Sequence, residues 1–290
     1  MIPNQVRRTD DFVNNKFNDM PISMKYLETE NHFYMDFHSH QGFEIYFFIE
    51  GNGCFLIEDH IYPLEGMDLI FICPNESHKS SPNLDIPNTR SVLHFLPELL
   101  DQQTREALLE IFRQGLKYRH LRLDSSRLDR FHYLWNRLHD NYAHRPDDFL
   151  LSIRIYLSEL LLEIRHYMFQ ASALQADQVD RSSINPKIEQ AIQYISNSYS
   201  ENLTLDKIAA ELFLNRYYLC HLFKKTLGIT ISDFLLQTRF HHAKQLLIHT
   251  QMPVSEVSDK VGFNSLSYFT KAFRTYTGLT PRDYRKNNAN

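Results

Sequence analysis

The sequence predicts an α+β protein in two parts. Three observations carry this. Residues 33–95 are a series of short Phe-, Ile- and Tyr-rich runs broken by turn residues, the texture of an antiparallel sandwich or small barrel. From Asp101 onward the apolar spacing turns helical. Between Leu203 and Arg285 one helical pattern is written twice. The chain's 290 residues allow two domains, and 43% apolar content is enough for two cores.

The start, Met1 to about Glu30, is weakly patterned and reads as a loose arm or an edge strand. Next come F-E-I-Y-F-F-I-E, C-F-L-I-E, I-Y-P-L and D-L-I-F-I, each strand-like. The segment Gly51-Asn52-Gly53 between the first two predicts a hairpin. The run H-S-H-Q-G-F-E places His38, His40 and Glu44 at even spacing, which on a strand means one shared face. P-N-E-S-H brings His78 after it. Two imidazoles, a carboxylate and a third imidazole are a donor set for a divalent transition metal. They equally suit a polar pocket or a structural His–Glu network. The spacing H-x-H-x-x-x-E followed by Gly51 resembles the first motif of the cupins, and P-N-E-S-H resembles a shortened second motif without its usual glycine. That incomplete second motif favours the polar pocket, so no metal and no cofactor is assigned. The predicted effector-binding set is His38, His40, Glu44, His78, Tyr34 and Tyr46.

Asp101 to Arg119 and Ser125 to Tyr142 read as amphipathic helices. Pro146 opens a long third helix, with Leu150, Ile153, Leu157, Leu160, Leu161, Ile164 and Met168 as its stripe. That stripe either packs on the chain's own barrel or pairs with a second protomer. Ala171 to Ser183 is small and polar, a linker. Pro186 suits the first turn of the helix that follows.

In the doubled segment, Tyr218, Phe223, Gly228, Thr230 and Asp233 recur fifty residues later as Tyr268, Phe273, Gly278, Thr280 and Asp283. Each copy reads as short helix, tight turn, second helix. Thr204 and Asn215 suit N-caps, as do Asn264 or Ser265, and Gly228 and Gly278 suit helix ends. Leu219 and Phe223, then Phe269 and Phe273, form the buried stripes. The opposite faces carry Arg216, Tyr217, Cys220, His221 and Lys224 in the first copy, with Lys225 as a further DNA contact. In the second they carry Leu266, Ser267, Thr270, Lys271 and Arg274, with Asn264 as a further DNA contact. A helix–turn–helix needs these parts to lay a polar, cationic helix in a major groove. The charge split agrees. Lys187 to Asn290 holds 13 Lys+Arg against 8 Asp+Glu, while the whole chain carries −4.

Ile231 to Leu247 and above all Gly262 to Arg285, G-F-N-S-L-S-Y-F-T-K-A-F-R-T-Y-T-G-L-T-P-R-D-Y-R, resemble the DNA-binding domain of the AraC/XylS family of bacterial transcription regulators. The resemblance covers about a hundred residues. It implies two helix–turn–helix units joined by one helix, an N-terminal cupin-like sensor, and dimerisation through helices after the sensor. His221 departs from the family's usual Arg or Lys, so the first unit is less cationic. The implied boundaries are 1–100 for the sensor, 101–170 for the helical segment, 171–185 for the linker and 186–290 for the DNA-binding domain.

The expected activity is sequence-specific regulation of transcription under a small-molecule effector, with a sugar as one candidate. The expected partners are double-stranded DNA, the effector, a second copy in a homodimer, and RNA polymerase. The alternative is a metal-dependent cupin enzyme with an accessory DNA-binding domain, and a third reading has the front half dimerise without sensing. No signal-like N-terminal run and no membrane-length apolar stretch occurs, and Cys54, Cys73 and Cys220 have no metal spacing. These observations point to a cytoplasmic protein with no membrane contact.

Overall fold

A computed structural model describes residues 11–30, 37–114, 119–174 and 185–288. A short helix α1 (Asp11–Asp19) leads into strand β1 (Ile22–Glu30). Strands β2 (Phe43–Glu50), β3 (Asn52–Ile57), β4 (His60–Glu65), β5 (Asp68–Ile72), β6 (His78–Pro82) and β7 (Asn88–Phe95) follow. Then come α2 (Arg105–Arg113), β8 (His120–Arg122), α3 (Ser125–His144) and α4 (Phe149–Leu174). The back half is α5 (Pro186–Ser198), α6 (Leu205–Glu211), α7 (Arg216–Leu227), α8 (Ile231–His249), α9 (Val254–Lys260), α10 (Leu266–Thr277) and α11 (Pro281–Asn288). The α+β class holds.

The strands form two antiparallel sheets, β1-β7-β2-β5-β8 and β4-β3-β6. Strand alternation divides their side chains between three environments. Phe43, Ile45 and Phe47 of β2, with Leu93 and Phe95 of β7, pack outward against Phe112, Trp135 and Leu157 of α2, α3 and α4. Tyr46 and Phe48 point inward and meet Phe55, Ile57, Tyr62 and Ile70 between the sheets. Cys54 and Leu56 of β3 point out of the smaller sheet and share a core with Ile208, Leu219 and Phe223 of the back half. Thus each outer face of the sandwich is covered by helices, one set from each half of the chain.

Four expectations are corrected. Gly51-Asn52-Gly53 is not a hairpin: β2 and β3 lie in different sheets, and this segment is the corner between them. Gly51 has φ 114, and a Cβ there would come within 2.2 Å of the Asn88 amide oxygen. The tight connection is instead Glu58–Asp59, with Ile57 opposite His60 and Glu58 itself at φ 53. Of the helix expected over 101–119, α2 takes Arg105–Arg113; positions 115–118 lie outside the described residues, and β8 then extends the larger sheet beside β5. The long stripe is consumed internally. Ile153, Leu157, Leu160, Leu161 and Ile164 are buried on the chain's own sheet, whereas Leu150 is exposed. The expected start of the linker is also helical, because α4 runs through Leu174; positions 175–184 lie outside the described residues.

In the back half the caps form as their chemistry demands. The Asn215 side chain accepts from Tyr217 and Tyr218 N–H, and Ser265, rather than Asn264, accepts from Tyr268 N–H. Gly228 and Gly278 close α7 and α10 at φ 65 and 80. Thr230 and Asp233 make a capping box on α8, and Thr280 with Asp283 repeats the contact fifty residues on.

Candidate functional site

The predicted cluster converges, though not along one strand. Strand β2 begins only at Phe43, so Glu44 is its second residue, while His38 and His40 sit in the irregular segment before it. His38 is held by a two-bond backbone bridge to His78 at the start of β6. The acceptor atoms of His38, His40, Glu44 and His78 all lie within 4.8 Å of one another. His40, Glu44 and His78 are buried, and His38 is half-buried. Tyr46, two residues along the same face as Glu44, is also buried and shares a 2.8 Å hydrogen bond with the Ser80 hydroxyl. Tyr34 lies outside the described residues.

Sequence reasoning missed His94. It stands opposite Glu44 in the β2–β7 register, and its Nε2 is 3.2 Å from Glu44 Oε2. Its Nδ1 is buried with no hydrogen-bond partner. Arg90, buried two pairs away on the same face of β7 and bonded to Glu28, was missed as well. The signal was alternation: Arg90, Val92 and His94 share one face while Leu93 and Phe95 take the other. A histidine and an arginine on the inner face of an apolar strand need a polar partner.

Glu44 Oε2 is the hub. It lies 2.8 Å from His40 Nε2 and 3.1 Å from His78 Nε2, besides His94. Burial alone would raise the Glu44 carboxyl, but the His78 and His94 charges outweigh it and hold it well below the ordinary carboxylate range. His78 is raised, because the Glu44 carboxylate outweighs its burial. His40 is pushed down to about 4, chiefly by burial, and so is neutral near pH 7. Its Nδ1 faces the Gly42 carbonyl at 3.0 Å and its Nε2 faces the Glu44 carboxylate, so both ring nitrogens meet acceptors while a neutral imidazole has one proton. One of the two nitrogens of a neutral His40 therefore turns a lone pair toward an acceptor oxygen. That approach is favourable only with a proton or a cation shared between them.

The other predicted surface is the pair of helices α7 and α10. Arg216, Tyr217, His221, Lys224 and Lys225 are exposed on α7, as are Leu266, Ser267, Lys271 and Arg274 on α10, with Asn264 just before it. Arg216 is engaged with Asp206 of α6 at 3.3 Å. The turns differ between the copies. Gly262 takes φ 86 in the second, while Phe213 takes φ 54 in the first with 94% of its surface exposed. No helix among the described residues is long and apolar enough to cross a membrane.

Residues 23–158 match the model of the AraC-like ligand binding domain, and residues 208–287 match that of a helix-turn-helix domain. The chain is 24% identical over 249 residues to the HTH-type transcriptional activator RhaR of Salmonella dublin, covering 86% of each chain. It is 31% identical over 130 residues, 45% of each chain, to the lactose operon transcription activator of Staphylococcus xylosus. The C-terminal domain of AraT, a response regulator from Geobacillus stearothermophilus, aligns with 37% of this chain and 90% of its own at 32% identity, with a TM-score of 0.37. A ligand-binding domain joined to a DNA-binding one describes a regulator rather than an enzyme: the chain belongs to the AraC family of transcription regulators.

Proposed function

We propose that a small polyhydroxylated molecule, a sugar or sugar derivative, binds at His38, His40, Glu44, His78 and His94 and controls how the protein engages its operator. The observation that carries this is the convergence of five donors and acceptors on one point inside the ligand-binding domain. Imidazoles and a carboxylate match the paired donors and acceptors of vicinal hydroxyls, and Tyr46 and Ser80 extend that match along one face. Tyr217, His221, Asn264, Leu266, Ser267 and Lys271 read base edges, while Arg216, Lys224, Lys225 and Arg274 meet phosphates. The protein works in the cytoplasm as a homodimer. The exposed Leu151, Ile155, Leu162 and Phe169 of α4 support the second copy, being spaced along one side of that helix. As an activator, like the relatives named above, it would also contact RNA polymerase. A thermal-shift panel of monosaccharides and disaccharides on the full chain tests the effector. One sugar class should raise Tm, and His40→Ala with Glu44→Ala should abolish the rise; no rise with any sugar rejects this ligand class.

A second reading is favoured by His40, whose two ring nitrogens both face acceptor oxygens. A divalent transition metal held by His38, His40, Glu44 and His78 would resolve that contact, and would itself bind vicinal hydroxyls as a Lewis acid. The Gly42 and Glu76 carbonyls already orient the rings of His40 and His78 as outer partners of metal ligands do. Elemental analysis of the purified chain distinguishes the two: near-stoichiometric metal that is lost in His40→Ala supports the ion, and a metal-free chain that still binds sugar excludes it.

A further inference from the structure

We propose that strand β6 and the β3–β4 turn of the ligand-binding domain position the two helix–turn–helix units relative to each other, with Lys79 and Glu58 as the positioning residues. This rests on the reading of α7 and α10 as the helices that enter DNA.

The grip on the first unit is at the end of its second helix. Lys79 Nζ donates to the Gly228 carbonyl at 2.9 Å, across 149 residues of sequence. Lys79 is only 2% exposed, so its ammonium has been brought out of water to reach that carbonyl. A cation at a helix C-terminus meets the carbonyls that the helix leaves unpaired and the negative end of its dipole. Cys54 of β3 adds a contact from Sγ to the Thr226 carbonyl at 3.4 Å.

The grip on the second unit runs through α8. Glu58, at the β3–β4 turn, forms an ion pair with Lys244 of α8, and His241 approaches its other oxygen at 3.4 Å. Both ends of the ion pair are buried, at 3% and 6% exposure. Burial would raise the Glu58 carboxyl, but the Lys244 charge and the neighbouring His241 hold it low instead. The Lys244 ammonium also lies 5.9 Å from the centre of the Tyr276 ring, in the last turn of α10. Lys244 thereby links the turn of the ligand-binding domain to the second recognition helix.

Both grips share one strand. Ser77, next to β6, accepts the Glu58 backbone N–H at its carbonyl at 2.7 Å and donates its own N–H to the Glu58 carboxylate at 2.9 Å. Along β6 the side chains alternate. His78 and Ser80 face the histidine–carboxylate cluster and Tyr46, while Lys79 and Ser81 face Gly228. Whatever displaces His78 is one residue from the hold on α7 and one residue, in the other direction, from the hold on α8. Neither grip covers the outer faces of α7 and α10, which stay exposed. The contacts therefore act on the separation and tilt of the two helices, not on access to them.

The test uses the full chain and a duplex it selects from random sequence. The same duplex with one base pair inserted between the two half-sites turns one half by about 35° relative to the other. A third duplex retains a single half-site. The unaltered chain should discriminate against the insertion by at least about tenfold, within the usual range of coupling between sites. Lys79→Met and Glu58→Gln should each reduce that discrimination to about twofold or less. Affinity for the single half-site should not change, which a merely loosened fold would not allow. Lys79→Arg should restore discrimination. If Glu58→Gln fails to fold by near-UV circular dichroism, Lys79→Met decides alone. Discrimination as strong in Lys79→Met as in the unaltered chain overturns the positioning role. Absence of any spacing preference in the unaltered chain overturns the two-helix reading, and the proposal with it.

Discussion

The two helix–turn–helix units repeat one plan, but they solve the turn differently. In the second, Gly262 sits at φ 86 where a Cβ would come within 2.7 Å of the Ser200 carbonyl oxygen, so backbone packs directly on backbone. In the first, Phe213 takes the same left-handed region and points its ring into solvent. The second unit is closed tightly on the loop that follows α5. The first tolerates a side chain at its turn and is instead held from behind, by Lys79 and Cys54 of the ligand-binding domain. Their outer faces differ too: Tyr217 and His221 in the first, Ser267 and Lys271 in the second. The repeat keeps the second-helix caps and the cores, while the first-helix cap (Thr204 against Pro253), the turn and the outer face differ.

That contrast is sharpest at the turns. Gly262→Ala should destabilise the chain by about 2–3 kcal/mol, since it adds both left-handed strain and a clash with fixed backbone. Thermal unfolding measures this, and a loss under about 0.5 kcal/mol would mean the second turn is as permissive as the first. At the reading faces, Lys271→Ala should cost about 1–3 kcal/mol on the selected duplex and relax preference at one base position. Equal losses on selected and random duplex would make Lys271 a phosphate contact. Lys224→Ala in the first unit should weaken all duplexes alike and lower the slope of log affinity against log salt by about one. A base-dependent loss there would make Lys224 a base reader instead of a phosphate contact.

The hold on the DNA-binding half is expected to depend on pH. Glu58 is depressed from its ordinary 4.5, so its contribution is present above that value and lost as pH falls toward about 2. His241 is raised above 6.5 by the Glu58 and Asp59 carboxylates despite burial and the nearby Lys244. Its contribution is complete below 6.5 and fades as pH rises through the raised value. His242, lowered chiefly by burial, stays neutral and does not offset this near neutrality. The Tm difference between the unaltered chain and Glu58→Gln should therefore be largest between about pH 4.5 and 6.5. A difference that grows steadily to pH 9 contradicts this assignment. The smallest effect is expected at Phe213→Gly, where relief of strain and the entropy of glycine nearly cancel, leaving under about 1 kcal/mol.

What was legible in the sequence was local. Asn215, Gly228, Thr230, Asp233 and their counterparts fifty residues on act within a few positions of themselves, so their pattern survives reading in one dimension. The His38–His40–Glu44 spacing was legible for the same reason. His94 was not, since a lone histidine in an apolar strand reveals its partner only once the β2–β7 register is known. The Gly51–Gly53 corner imitated a hairpin because a turn residue states that the chain bends, not which sheet it enters next. Strand β8 is three residues long and flanked by helices, too short to show a period. The docking of the two halves was the least legible of all. Cys54 and Leu56 look like ordinary strand core, and Glu58 meets a lysine 186 residues away.

Under the proposed function, occupancy of the His40–Glu44–His78 cluster controls DNA binding. This control is tested most directly by measuring Kd of the full chain for the selected duplex with and without each sugar that raises Tm. The same measurement is made on the folded His40→Ala, Glu44→Ala double variant. The account predicts that at least one such sugar shifts Kd of the unaltered chain by about tenfold, and that the double variant binds the duplex but no longer responds. A double variant that still responds at the same sugar concentration would place the controlling site elsewhere in the protein and contradict the account.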